Sequence, residues 1–345
     1  MKLIAVLVAV AVLAGGWSIR PRTLQLDSAR TGDLTLQKFI DEHYEGPGHR
    51  LAIAVIGDNS MAFAGRGANE HSRFEIGSVS KAMTGLLLAD SIRRGEVKLD
   101  QEVGSLLPLG DTEAAGVTLE DLATHYSGLP RTSTNPFAAT RSFVAGLSAG
   151  NPYPYDVGDL LAHARSAGTG GRGQPEYSNL GGALLGQALA RKAGKSYPQL
   201  LRERLLDPLQ MQETSVPTSE DGAAPEGYSS GGRKEAPWIQ DGYAPAGGVV
   251  SSSGDLALLL QSRLRGIGVE ALAPQRDFEG GDKIGMFWIT SPLRGTDHAM
   301  VWHDRGTGGY RSFVGLDLER KRAVVVLSDV AADVDDFAQE LLAAP

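Results

Sequence analysis

Apolar positions along this chain repeat at two periods, and each period holds its own stretches. LAIAVIG (51–57) and MAFAGRG (61–67) are short runs of Ala, Val, Ile and Phe parted by Asp58-Asn59, which predicts two strands joined by a turn. FEIGSVSKAMTGLLLADSIRRGEVKLD (74–100) begins like a strand end, turns at Gly77 and then predicts an apolar helix that stops near Gly95. A mostly helical, loop-rich middle follows. In TLEDLATHYSGLP (118–130), Thr118 with Asp121 three residues on marks a helix start. NLGGALLGQALARKAG (179–194) predicts an amphipathic helix with Gly194 as its C′ residue. SSSGDLALLLQSRLRG (251–266) predicts another, capped by Ser252 or Ser253. Strand-length runs return at IGMFWIT (284–290), RSFVGLD (311–317) and RAVVVLS (322–328), the last two joined by a polar turn over 318–321. A helix over VDDFAQELLAA closes the chain.

Strands at both ends with helices between predict an α/β fold: one antiparallel sheet built from both chain ends, with flanking helices and an inserted all-helical domain. Residues 33–81 and 276–345 form the expected sheet domain and 82–275 the insertion, with a cleft expected between them. AGTGGRGQP (167–175) and TSEDGAAPEGYSSGGRKEAP (218–237) read as loops, candidates for the rims of that cleft. Before all of this, Lys2 is followed by an apolar run from Leu3 to Gly16 that ends in small residues. Residues 1–22 therefore read as a secretory signal, with cleavage near Ala14–Gly16, and as an uncleaved anchor in the second reading. The run falls short of the roughly 20 apolar residues of a full span. The expectation is an exported protein, periplasmic or secreted, with membrane contact only if that segment is retained.

Composition narrows the chemistry. The 33 Lys and Arg against 41 Asp and Glu leave a net charge of -8, which argues against a nucleic-acid partner. Cysteine is absent, so disulfides, thiolate metal sites and a cysteine nucleophile are excluded. The seven histidines form no H-E-x-x-H, and no metal or cofactor is expected. Two motifs are decoys. Gly146-Leu147-Ser148-Ala149-Gly150 fits a nucleophile elbow, but that needs a strand before it and a helix after, and Pro152 and Pro154 forbid the helix. AGKS (193–196) resembles a phosphate loop, but Leu189 stands where the motif needs glycine, and a helix precedes it.

Three stretches remain. Ser78 and Lys81 lie one helical turn apart on one face, so the amine can take the hydroxyl proton, and burial moves a lysine pKa into the useful range. The bland reading of Ser78 is a helix cap. In PEYSNLGG (175–182), Tyr177 and Asn179 are two apart in an extended segment and point the same way. A phenol beside an ammonium is expected to have a lowered pKa, and Asn179 can hold both Lys81 and a substrate carbonyl. The bland reading makes Asn179 a helix cap. In WHDRGTGGYRSFVGLD (302–317), His303 ends a strand and is followed by a glycine-rich turn.

Together these stretches resemble the serine β-lactamase-like superfamily, which includes class C β-lactamases, D-alanyl-D-alanine carboxypeptidases, D-aminopeptidases and related esterases. The order is that family's: Ser-x-x-Lys, Tyr-x-Asn about a hundred residues on, and a late Lys/His-x-Gly. LATHYSGLP (122–130), AGGVVSSSGDLALLL (246–260) and GTGGYRSFVGLDLERKRAVVVLSD (306–329) match as well, so the likeness spans about Leu36 to Gln339. It implies the β-lactamase/DD-peptidase fold. It implies Ser78 as nucleophile, Lys81 and Tyr177 sharing the base and acid roles, and Asn179 on the substrate amide. His303 stands where class C enzymes keep a lysine, and the oxyanion hole would be the backbone N–H groups of Ser78 and Gly306. The implied reaction is hydrolysis of an amide or ester through an acyl-enzyme, on a small-molecule or peptide substrate. A D-alanyl peptide or a D-amino-acid amide or ester ranks ahead of a β-lactam, because His303 lacks the lysine's constant charge. One departure stands out: Arg305 occupies the place of the motif's glycine and is expected to project into the cleft, as an obstruction or as a reader of a substrate carboxylate. The alternative function class is a catalytically weak or inactive binding protein of the same fold.

Overall fold

The computed structural model describes residues 24–345, and the N-terminal segment read above as a signal or anchor (1–22) lies outside them. Nine strands form one antiparallel sheet: β1 (Arg30–Gly32), β2 (Leu51–Gly57), β3 (Met61–Arg66), β4 (Arg276–Asp277), β5 (Lys283–Ile284), β6 (Ile289–Pro292), β7 (Ala299–Gly306), β8 (Arg311–Asp317) and β9 (Arg322–Ser328). Their spatial order is β1-β3-β2-β9-β8-β7-β6-β5-β4. The last strand of this sheet in chain order thus sits between the first hairpin and the late one, pairing Val325 with Ala54 and Val314.

The sheet is covered on both sides, which explains why β2 and β9 are apolar almost throughout rather than alternating. Leu51, Ile53, Phe313, Val324 and Val326 point to one face. There they meet Leu36 and Ile40 of α1 (Leu34–His43) and Phe337, Leu341 and Leu342 of the closing helix, Asp335–Ala343. Helix α1 is an element the sequence reading did not draw, and Asp33 caps it by accepting from the N–H groups of Thr35 and Leu36. The alternate residues between, Ala52, Ala54, Ile56, Val325 and Leu327, face the other way. They join a core with Val79, Met83 and Leu86 of α2 (Val79–Arg93) and with Leu256, Leu259 and Leu260 of the helix Ser253–Leu264.

Between the two sheet segments the chain is mainly helical, with short ladders inside it. One pairs Phe74–Glu75 with Val250–Ser251. Another joins Gly227–Ser229 to Lys234–Glu235, and in parallel to Val330–Ala331. Helix α2 is buried nearly all round, as expected of a helix that is apolar on every face. The run IGMFWIT, expected as one strand, is two strands, β5 and β6. The chain breaks over Gly285–Trp288, where Gly285 N–H donates to Trp288 O and Phe287 takes a positive φ of 64°. All four residues there are buried or nearly so, and a uniformly apolar run carries no mark of that break. Helix α2 packs against this break at Gly85, where an added Cβ would overlap the Met286 carbonyl oxygen.

Gly85→Ala should therefore force α2 and the 285–288 turn apart. We expect a loss of about 1–3 kcal/mol of stability, the usual scale of overpacking, read as a lowered urea midpoint with an unchanged slope.

Candidate active site

Gly77 carries the chain into α2 at a φ of 48°, and its neighbour across the gap is the end of β7. A Cβ on Gly77 would come 2.9 Å from the carbonyl carbon and oxygen of Gly306. Helix start and strand end thus meet backbone to backbone, an approach only glycine permits. Ser78 follows as the N-cap residue, with φ and ψ already helical and no side-chain capping bond. Ser78 thus holds the cap position of the bland reading, but its hydroxyl makes no capping bond. The Ser78 N–H is one of the orphan donors of a helix start. On the strand side, Thr307 N–H donates to Tyr310 O at 3.0 Å, which leaves Gly306, paired with Arg311, in the non-bonded position of the ladder. Pairing of β7 with β6 ends at Trp302, so no strand covers Gly306 on its other side.

Lys81 is fully buried one turn into α2. Its Nζ lies 3.2 Å from Ser78 Oγ, 2.7 Å from Asn179 Oδ1 and 2.7 Å from the Ala246 carbonyl. Each partner is fixed from behind. Asn179 opens the helix Asn179–Lys192, but Ser178 is its cap, accepting from Gly181 N–H at 2.8 Å; the asparagine side chain is released to Lys81, and its Nδ2 donates to Tyr153 Oη at 3.2 Å. The turn Ala244–Gly247 is held by Thr84, whose Oγ1 donates to Pro245 O, and by Ser80, whose Oγ accepts from Val249 N–H. Burial, with Arg131 and Arg305 adding to it, pushes the Lys81 pKa well below the ordinary lysine value. A neutral amine has two N–H donors and one lone pair. With those donors on the two carbonyl oxygens, that form would leave its lone pair for the Ser78 hydroxyl, whereas the ammonium donates to all three oxygens.

Tyr177 lies under the cleft with Lys81 Nζ 4.8 Å from its ring centroid. The expected lowering of its pKa does not occur: burial pushes it up to about 12, with the Ser78 hydroxyl and Arg305 only partly offsetting that. Tyr177 is a phenol here, and the amine is the group that gives up its proton. Its Oη is buried without a hydrogen bond of good geometry. His125, which the sequence reading did not single out, clamps this segment. Its carbonyl accepts from Glu176 N–H at 2.8 Å, its Nδ1 accepts from Ser178 N–H at 3.2 Å, and its ring lies 4.5 Å from the Tyr177 ring.

His303 is not among the residues that line the cleft. It is 2% exposed, and its Nδ1–H donates to Phe287 O at 2.6 Å across the break between β5 and β6. Burial, reinforced by Lys81, lowers its pKa to about 4, so it is neutral at ordinary pH. Arg305 does line the cleft, as expected, and its guanidinium carbon lies 5.3 Å from the Tyr177 ring centroid. Its φ of 129° is one that favours glycine and costs another residue about 1–3 kcal/mol. The cleft holds about 90 Å³ and is lined by Ser78, Asn179, Arg305 and Gly306, and also by Arg131, Tyr153, Trp238, Gln240 and Tyr243. The last five come from loops and turns without periodicity, and only their polar or aromatic character in loop segments could have pointed to them. Among the described residues, no three His, Asp or Glu side chains come together to hold a metal. Ser148 of the decoy elbow closes a helix and bonds back to Val144 O; Gly194 of the decoy phosphate loop ends one at a φ of 67°.

Comparison with known proteins identifies the family and the fold. The profile of the Beta-lactamase family matches residues 36–344. A beta-lactamase of Escherichia coli K12 is 27% identical over 304 residues, 75% of this chain and 76% of that protein. The D-alanyl-D-alanine-carboxypeptidase/endopeptidase AmpH of the same strain is 26% identical over 319 residues, 81% and 80% of the two chains. In fold, a class C beta-lactamase superposes with a TM-score of 0.74 at 18% identity, over 90% of this chain and 94% of its own. The octameric penicillin-binding protein homologue from Pyrococcus abyssi gives 0.74 at 23% identity, over 90% and 75%.

With Lys81 as the proton acceptor, the acid limb of kcat/KM, where the amine becomes protonated, should lie well below the ordinary lysine value. Arg305→Gln removes one of the charges that depress Lys81, so the acid limb should move to higher pH. A limb that stays in place would show that this guanidinium does not act on the amine.

Proposed function

The chain belongs to the beta-lactamase family of serine hydrolases, and we propose that it hydrolyses an amide or ester through an acyl-enzyme on Ser78. The observation that carries this is the buried Lys81 amine, whose two N–H donors are matched by Asn179 Oδ1 and Ala246 O while its third contact is the Ser78 hydroxyl. In the first half, Ser78 Oγ attacks the substrate carbonyl carbon as its proton passes to Lys81 Nζ. The N–H groups of Ser78 and Gly306 hold the developing oxyanion, each worth about 3–4 kcal/mol where such a donor has been removed from a hydrolase. Collapse breaks the bond to the leaving group, which takes a proton from the Tyr177 phenol, and the Lys81 ammonium refills that phenol. Water then attacks the acyl-enzyme ester by the same steps in reverse, returning the proton to Ser78.

A D-alanyl peptide, or a D-amino-acid amide or ester, ranks ahead of a β-lactam as substrate. The support is His303, which is neutral and buried where the resemblance would put a lysine. A second reading, a weakly active binding protein, draws on the small cleft and on Arg305 within it. Covalent labelling separates the two. A fluorophosphonate should modify the peptide that contains Ser78, and Ser78→Ala should abolish the label. Label on Ser148, or none at all, would defeat the acyl-enzyme reading. With the label established, turnover of p-nitrophenyl esters, D-alanyl peptides and nitrocefin ranks the substrates. Tyr177→Phe should lower kcat by about 100-fold or more, and Lys81→Ala with Tyr177→Phe should be little worse than the poorer single variant.

A further inference from the structure

A second cavity, of about 510 Å³, opens at the far end of α2 from Ser78. Asp90 in its wall lies about 14 Å beyond Lys81 along the helix. Four arginines line this cavity, Arg93, Arg94, Arg204 and Arg263, against two carboxylates, Asp90 and Glu270. Most of these charges are paired. Asp90 accepts from Arg93 and Arg94, and Glu96 takes both terminal nitrogens of Arg204. Arg263, on the helix Ser253–Leu264, differs. It is only 4% exposed, yet among the described residues it has no ion pair, and its side chain makes one hydrogen bond, from Nη2 to Ser262 Oγ at 2.9 Å. Its Nε is buried without a partner. The turn over Gly266–Gly268 lies against the guanidinium, so close that a Cβ on Gly268 would come 2.8 Å from Nη1. Burial lowers the Arg263 pKa to about 10, and the exposed Glu270 offsets only part of that. A buried cation without a counter-charge is costly to keep.

We propose that this cavity binds an aliphatic carboxylate, with its head on Arg263 and its chain along Leu86, Leu87 and Leu205. The head supplies the counter-charge that Arg263 lacks. A guanidinium presents planar, paired N–H donors that match a carboxylate. Asp90 and Glu270 on the same wall disfavour a head with more than one negative charge. The chain follows from the rest of the wall: the three leucines are nearly buried and line the cavity, whose volume exceeds what a bare carboxylate fills. The site is separate from the cleft at Ser78, since the two share no lining residue. Helix α2 nevertheless belongs to both, with Lys81 near its start and the cavity at its end. The proposal does not depend on the acyl-enzyme reading, and its test reads binding rather than turnover.

Calorimetric titration of the protein with hexanoate, hexanamide, acetate and inorganic phosphate tests both halves of this ligand. Hexanoate should bind about 10-fold or more tightly than hexanamide, which lacks the charge, and than acetate, which lacks the chain. Arg263→Met should weaken hexanoate by about 10- to 100-fold, the worth of a charge-assisted hydrogen bond. Without ligand, Arg263→Met should melt no lower than the wild type, because it removes a buried unpaired charge. Saturating hexanoate should then raise the melting temperature of the wild type and leave that of the variant unchanged. Equal binding of hexanoate and hexanamide, or binding that survives Arg263→Met, would overturn the site. Phosphate that binds as tightly as hexanoate would overturn the ligand class. Glu270 is the internal competitor for Arg263. Glu270→Gln should leave the melting temperature in place and tighten hexanoate; a variant that melts lower and binds no better would show that Glu270 already serves as the partner, and the proposal would fall. Should Arg263→Met not fold, Ile267→Glu at the exposed rim of the cavity takes its place. The added carboxylate should weaken hexanoate and not hexanamide, and an unchanged hexanoate affinity would overturn the proposal.

Discussion

A lysine amine enclosed by neutral oxygens is the constraint around which this molecule is arranged. Lys81 has no exposed surface, and its contacts are a hydroxyl, an amide oxygen and a backbone carbonyl. Burial disfavours a charged ammonium in that setting, which is why the Lys81 pKa lies well below the ordinary lysine value. The three oxygens come from α2, from the start of the helix Asn179–Lys192 and from the turn Ala244–Gly247, and each must arrive within hydrogen-bond reach. That requirement accounts for details that look unrelated: a serine rather than the asparagine caps one helix, two hydroxyl residues of α2 are tied to the 245–249 backbone, and α2 is apolar on every side.

What the sequence disclosed about the site follows the range of the interactions involved. Ser78 and Lys81 are one helical turn apart, and Tyr177 and Asn179 are two residues apart, so local geometry alone aims each pair. The sheet was legible for a similar reason, since β2, β8 and β9 are apolar runs of strand length. Arg131, Tyr153 and Trp238 become wall residues only when distant loops close on each other, and no periodicity announces that. His125 was one of several polar residues in TLEDLATHYSGLP, with nothing in the chain to say that it would hold both flanks of Tyr177. The direction of the Tyr177 pKa shift was misjudged because proximity of an ammonium is visible as a motif, whereas depth of burial is a property of the whole fold. The break at Gly285–Trp288 was hidden by its own uniform hydrophobicity.

Arg305 illustrates how charge and backbone can be traded between neighbouring positions. The strand places a neutral histidine two residues before it and gives Arg305 a dihedral angle suited to glycine. The permanent charge is thereby carried nearer the strand end, where the pairing of β7 with β6 has already stopped.

The position of β9 has a consequence for how the protein is made. This strand lies in the middle of the sheet, between β2 and β8, yet it is the last of the nine in the chain. During synthesis the β2–β3 hairpin therefore emerges long before its central neighbour exists, with one apolar strand edge unpaired for most of that interval. Contacts of such long sequence separation form late, and an open edge rich in Val, Ile and Ala invites association with other chains. A nascent molecule of this fold is thus most vulnerable to aggregation before Arg322–Ser328 appears, and factors that shield an unpaired strand would act on it within that window.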